Sequence, residues 1–173
     1  MDFTEIRPAG TRLNGYGWIS SGDKSLALCV DALFAILNRR AGQLLSRHDI
    51  HDVFNWFGTI LSSRRSAEIV LYDYGTPGWE EFATFKKDFW LHGHDHRQQS
   101  NNSLLFWQKP TFNQIDEVLR IMHENGGSEP GIYNARTATS RAPWFSGTNP
   151  CGEILLSNKA FCNLVETNVA AFI

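Results

Sequence analysis

The chain has 173 residues, 42% hydrophobic and 13% aromatic, which is enough apolar material for one sizeable core and argues against disorder. A net charge of −2 and a pI near 6.3 exclude the strongly basic surface of a nucleic-acid or membrane-surface binder. Three cysteines are too few and too unevenly spaced for a disulfide scaffold. There is no long apolar run, and Met1-Asp2-Phe3-Thr4-Glu5 lacks the basic and apolar regions of a signal peptide, so a cytoplasmic location is expected.

Gly10, Gly15, Gly17 and Gly22 punctuate a first loop that leads into a helix over 24–39, broken by Gly42. Cys29 lies in the apolar part of that helix and is read as core. Ser46 with Asp49 forms a capping box before Ile50, Val53, Phe54, Phe57, Ile60 and Leu61, whose spacing predicts an amphipathic helix ending at Ser62-Ser63. A strand is predicted over 67–72, a turn at Gly75-Thr76-Pro77-Gly78, a short helix over 79–87 and a strand over 103–107. Thr111 with Gln114 caps a further helix whose apolar face carries Phe112, Ile115, Val118, Leu119 and Met122 until Asn125-Gly126-Gly127 stops it. A strand over 130–134, an irregular connection over 136–148 and a last strand over 161–165 complete the order. Strands alternating with helices predict an α/β fold with parallel strands in one domain, 1–173.

Two stretches carry candidate chemistry. In Asn149-Pro150-Cys151-Gly152-Glu153 a thiol and a carboxylate stand two positions apart on a loop braced by Pro150 and Gly152, and Cys162 follows eleven positions on. The plain alternative is two cysteines buried as small hydrophobes. The second stretch is His92-Gly93-His94-Asp95-His96. If extended, it would turn three imidazoles to one side, a zinc-compatible set that a metallohydrolase would use. Arg64-Arg65-Ser66-Ala67-Glu68 reads either as a solvated turn or as a clamp for a phosphate or a base edge.

Asn-Pro-Cys-Gly-Glu followed by Cys162-Asn163-Leu164 resembles the finger loop and following strand of ribonucleotide reductase large chains, most closely the adenosylcobalamin-dependent (class II) ribonucleoside-triphosphate reductases. Arg7-Pro8-Ala9-Gly10-Thr11-Arg12, Arg64-Arg65-Ser66-Ala67-Glu68, Ser100-Asn101-Asn102-Ser103 and Glu129-Pro130-Gly131-Ile132 resemble other blocks of that family in the same order. The resemblance implies about half of a ten-stranded α/β barrel, threaded by a catalytic finger loop and flanked by amphipathic helices. It implies that Cys151 is the thiyl-radical cysteine, Glu153 the base for the 3′-hydroxyl and Asn149 an amide that holds the sugar hydroxyls. Cys162 would be one half of the dithiol that reduces the 2′ position.

It further implies that Arg64, Arg65, Ser66 and Ala67 form a loop linking an effector nucleotide to the substrate base, and that Asn101, Asn102 and Ser103 contact substrate or effector. Ser62, Ser63 and Trp18 depart from the family pattern. The implied cofactor is adenosylcobalamin, with a radical from a separate diiron subunit as the alternative. The eleven-residue spacing from Cys151 to Cys162 favours cobalamin. No metal site is implied at the histidines. The implied partners are a ribonucleoside tri- or diphosphate, a dNTP or ATP effector, a thioredoxin-like reductant and the remaining part of the reductase, with no nucleic acid or membrane. Cys29 does not match the upstream partner of Cys162, so a catalytic-core fragment inactive alone is expected. A non-catalytic nucleotide- or subunit-binding remnant is the alternative.

Overall fold

A computed structural model describes residues 1–15, 17–60, 68–163, 165 and 167–172, the last without its side chain. Helix α1 (Lys24–Arg39) buries Cys29 and Ile36, two turns apart on one face, and stops at Arg40 ahead of Gly42, whose φ of 75° suits a residue without Cβ. Helix α2 (Arg47–Gly58) starts at the predicted capping box: Ser46 Oγ accepts from the Asp49 amide, and the Asp49 carboxylate accepts from the Ser46 amide. The predicted end at Ser62-Ser63 lies outside the described residues; within them the helix closes at Gly58.

Asp49 also fastens the two helices together. It accepts from Arg39 Nη2 at 2.7 Å and Arg40 Nε at 2.6 Å, although its side chain is only 3% exposed. Burial alone would raise its pKa, but the Ser46 hydroxyl, the Arg39 guanidinium, the Ser46 amide and Arg40 together pull it well below the usual carboxylate range. Asp49→Ala removes a helix cap and two charge-assisted bonds at once. It is expected to cost about 2–3 kcal/mol, read as a shift in the urea midpoint at unchanged slope.

Three parallel strands form the central sheet in the order β1 (Glu68–Asp73), β2 (Ser100–Phe106), β3 (Gly131–Asn134), with Glu68 opposite Ser100 and Ser103 opposite Gly131. The β1–β2 crossover contains α3 (Trp79–Ala83) and two 3-10 turns, and the β2–β3 crossover is α4 (Phe112–Glu124), capped by Thr111 and Gln114 as predicted. Alternation along β2 sends Leu104 and Phe106 into a core with Trp79, Phe82, Ala83, Val118 and Ile121. Ser100 and Asn102 continue the same face toward α2. Asn101 and Leu105 occupy the opposite face, where Tyr133 of β3 lies beside Leu105.

The fold is therefore mixed α/β with parallel pairing, as expected. The described residues form an open three-stranded sheet and close no barrel. Residues 136–148, expected to be irregular, begin within α5 (Ala135–Arg141), started by Asn134 Oδ1 accepting from the Thr137 amide at 2.9 Å. Thr137, Thr139 and Ser140 give that helix neither apolar periodicity nor propensity, which hides it in the sequence. The strand expected over 161–165 is not formed by its described residues, which find no ladder partner and leave Phe161 79% exposed. Instead β4 (Gly147–Thr148) and β5 (Leu155–Leu156) pair antiparallel around the 149–154 loop. No helix among the described residues is long and apolar enough to cross a membrane.

Candidate active site

The β4–β5 hairpin presents Cys151 at its tip, and side-chain hydrogen bonds shape the loop. Asn149, 6% exposed, donates from Nδ2 to Glu153 Oε1 at 2.6 Å and accepts on Oδ1 from the Ile154 amide at 3.0 Å. The Gly152 amide donates to the Asn149 carbonyl at 2.9 Å, a tight turn that Gly152 closes with φ 85°. Two struts from the sheet hold the turn in place: Asn101 Nδ2 donates to the Pro150 carbonyl at 3.0 Å, and Tyr133 Oη donates to the Gly152 carbonyl at 3.2 Å. Cys151 itself is an exposed free thiol.

That thiol lines an open cleft of about 860 Å³ at the end of the sheet where β2 and β3 begin. Ser100, Asn101 and Asn102 form part of its floor, and Phe89 and Trp90 part of its wall. Among the described residues, its charged lining residues are Lys86 and Glu129, which pair with each other at 2.8 Å. Lys86 also donates to the Ser100 carbonyl. Burial lowers the Lys86 pKa, and Glu129 works against that shift.

Behind the floor, Asn102 Oδ1 accepts from Ser100 Oγ at 2.9 Å and lies 3.1 Å from His51 Nε2. An amide oxygen only accepts, so His51 carries a proton on Nε2. Burial against stacked Phe85, with a ring separation of 3.9 Å, lowers its pKa to about 4, with Asn102 opposing and Lys86 adding to the shift. On the next position of α2, Asp52 takes a bidentate pair from Arg97 at 2.7 and 2.9 Å and a bond from His96 at 2.8 Å. Burial would raise the Asp52 pKa, yet His96 and Arg97 hold it well below the ordinary value.

The structure thus brings Cys151, Asn149 and Glu153 onto one loop, with Asn101 and Asn102 beside it. Glu153 is exposed and turned to the Asn149 amide, so it does not line the cleft. Cys162 is half-buried in irregular chain and does not line the cleft either. Ser103 is buried, tight against Gly131, where a Cβ would come within 2.6 Å of its hydroxyl. Arg64, Arg65, Ser66 and Ala67 lie outside the described residues. The histidine segment is not extended: 3-10 turns over Phe89–His92 and Asp95–Gln99 interrupt it, His94 and His96 meet edge to face at 5.8 Å, and His96 is committed to Asp52 and stacks on Trp56. Sequence reasoning missed His51, Lys86 and the role of Glu129. Glu129 did stand inside a singled-out block, but its partner is 43 positions away, and sequence spacing carries no sign of that contact.

Comparison with known proteins gives consistent relatives. The chain is 37% identical over 96% of its length to the adenosylcobalamin-dependent ribonucleoside-triphosphate reductase of Lacticaseibacillus paracasei. It is 34% and 33% identical, over the same share, to the proteins of that name from Lactobacillus gasseri and Lactobacillus leichmannii. It spans 23% of the length of each of these relatives. No protein-family model and no solved structure matches the chain.

Proposed function

This chain is a homologue of one segment of the adenosylcobalamin-dependent ribonucleoside-triphosphate reductases, and from that premise we propose that it supplies the radical-bearing loop of a ribonucleotide reductase. In that role residues 1–173 form part of a larger α/β barrel, with the three-stranded sheet as a portion of its wall. The observation that carries the reading is an exposed thiol fixed at the tip of a strutted hairpin and facing an open cleft.

Adenosylcobalamin supplies one-electron radical chemistry when bound, and Cys151 fits it, as the exposed thiol of the cleft. A Cys151 thiyl takes the 3′ hydrogen of the ribose because the S–H bond formed is comparable in strength to the C–H bond broken. Glu153, which Asn149 holds outside the cleft lining through a 2.6 Å bond, turns toward the sugar and takes the 3′-hydroxyl proton. The 2′-hydroxyl leaves as water. A dithiol to which Cys162 contributes one sulfur gives that leaving hydroxyl its proton and supplies two electrons, ending as a disulfide that a thioredoxin-like protein reduces, and Cys151 returns the hydrogen to the 3′ carbon, which restores the thiyl. Asn101 and Asn102 contact the nucleotide. Arg64, Arg65, Ser66 and Ala67 relay the identity of a dNTP or ATP effector. The enzyme works in the cytoplasm together with the remaining part of the reductase, and the chain alone is inactive.

The direct test is a chimera in which this chain replaces the homologous segment of the Lacticaseibacillus paracasei reductase. Adenosylcobalamin-dependent conversion of ribonucleoside triphosphates to deoxy products supports the reading, and a folded, nucleotide-binding but inactive chimera overturns it. That second outcome is the one expected of a non-catalytic remnant, a reading favoured by the position of Cys162 outside the cleft lining. In an active chimera, Glu153→Gln is expected to lower kcat by about 100-fold with little change in KM, measured in steady state.

A further inference from the structure

A second cavity, of about 210 Å³, opens between α2, β1 and α3 and shares no lining residue with the Cys151 cleft. Rings make up most of its wall, from His51, Phe54, Tyr72, Phe82 and Phe85, with Ile50 beside them. His51 stacks on Phe85 at 3.9 Å and Tyr72 on Phe82 at 5.1 Å, so the wall is held by its own packing. The charged residues that border it are engaged with the protein: Arg47 Nη1 donates to the Pro77 carbonyl at 2.6 Å, and His48 Nδ1 lies 2.9 Å from Glu81 Oε1. His51 adds one polar feature. It is buried, and its hydrogen-bond contacts run through Nε2, to Asn102 Oδ1 at 3.1 Å and Ser100 Oγ at 3.5 Å. With the proton on Nε2, Nδ1 carries a lone pair. That atom has no partner among the described residues and is not sealed from solvent.

We propose that this cavity is a second binding site, for a free, uncharged one-ring molecule of the phenol class, with the ring among Phe54, Tyr72 and Phe82 and its hydroxyl donating to His51 Nδ1. The site goes beyond the proposed function and stands whether or not the chain serves a reductase. Size sets the first limit: an apolar cavity of about 150 Å³ already takes benzene, so this one accommodates a single ring with one small substituent, whole. The wall sets the second, because a charged ligand would lose its hydration against carbon and find no free counter-charge at the border. The imidazole sets the third. A bare ring satisfies the wall and leaves Nδ1 without a donor, so between rings of equal shape the one that brings an O–H binds more tightly.

The test titrates the 173-residue chain with phenol, fluorobenzene, p-cresol and N-acetyl-tyrosinamide. The methyl shifts of Val70, which lines the cavity, report occupancy in proton–carbon NMR, and circular dichroism reports folding. Phenol is expected to bind about fivefold more tightly than fluorobenzene, a ring of the same shape without a donor. Ile50→Trp fills the cavity from a position that is 43% exposed and is expected to weaken phenol by at least about tenfold. His51→Phe keeps a stacking ring and leaves Asn102 Oδ1 its 2.9 Å bond from Ser100 Oγ, but removes the acceptor; phenol and fluorobenzene should then bind within about twofold of each other. If His51→Phe fails to fold, the wild-type preference and the Ile50→Trp effect remain decisive. Equal affinity of the wild-type chain for phenol and fluorobenzene, phenol binding unmoved by Ile50→Trp, or no Val70 shift with any probe overturns the proposal and leaves the reductase reading standing. N-acetyl-tyrosinamide binding more than about tenfold more tightly than p-cresol identifies a partner's side chain as the occupant and overturns the assignment to a free ligand.

Discussion

Replacing Cys151 by Ser is expected to reduce deoxynucleotide formation by the chimeric reductase more than about a thousandfold, equivalent to about 4 kcal/mol of activation free energy, while nucleotide affinity stays within about twofold. The asymmetry follows from the geometry. Cys151 is exposed and makes none of the bonds that shape its loop; Asn149, Gly152, Asn101 and Tyr133 do that. Serine is nearly the same size and leaves those bonds intact, but its O–H bond is too strong for its oxygen radical to form and re-form in balance with a ribose C–H. Rapid-freeze electron paramagnetic resonance on the chimera should show the thiyl signal vanish with turnover. Retained turnover in Cys151→Ser would show that the radical sits elsewhere.

The second large effect is on stability in mild acid. His51 is 6% exposed and neutral in the fold, with a pKa of about 4 against the 6.5 of a free side chain. Above pH 6.5 both folded and unfolded chains leave it uncharged, and its contribution is complete. Between 6.5 and 4 the unfolded chain binds a proton that the folded chain refuses, so stability falls as pH falls. By pH 4.5 the loss amounts to about 2–3 kcal/mol. Glu68, pushed up to about 7 by burial, titrates across part of the same interval with the opposite sign: the folded chain takes up its proton first and gains stability as pH drops. His94, lowered by burial, adds a slope of the same sign as His51. The difference between wild type and His51→Gln isolates the effect, since Gln preserves a donor toward Asn102 and removes the titration. Urea midpoints at pH 7.5 and 4.5 should diverge for the wild type by that amount relative to the variant, and parallel curves would show that His51 does not stay neutral. Asp49 and Asp52, whose pKa values lie below the ordinary 3.8, lose their contributions only at lower pH and leave this window clear.

What could be read from the sequence was mostly local. Both capping boxes, Ser46 with Asp49 and Thr111 with Gln114, form where their spacing placed them, because a cap is an interaction across three residues. Helix α1 matches its expected bounds for the related reason that neither Gly nor Pro interrupts the run from Lys24 to Arg39. Strand β2 begins at Ser100, three residues earlier than expected, since Ser100, Asn101 and Asn102 carry no apolar signal and are held in the sheet by pairing with β1. The reverse error occurs at Phe161 and Val165, which look like strand residues and have no partner among the described residues. The loop around Cys151 was legible as chemistry, through a thiol and a carboxylate in one Pro/Gly-braced segment. Its surroundings were not: the Lys86–Glu129 and His51–Asn102 contacts join residues 43 and 51 positions apart.

Both struts that steady the hairpin tip grip peptide carbonyls, those of Pro150 and Gly152, and touch no side-chain atom of the residue between them. The location of position 151 is thus decoupled from its identity, in the way that a tool holder fixes the point of work whichever bit it carries. A selenocysteine set there would meet the ligand at the same spot with altered reactivity and unaltered aim, so the intrinsic chemistry of the atom and the accuracy of its delivery can be varied independently.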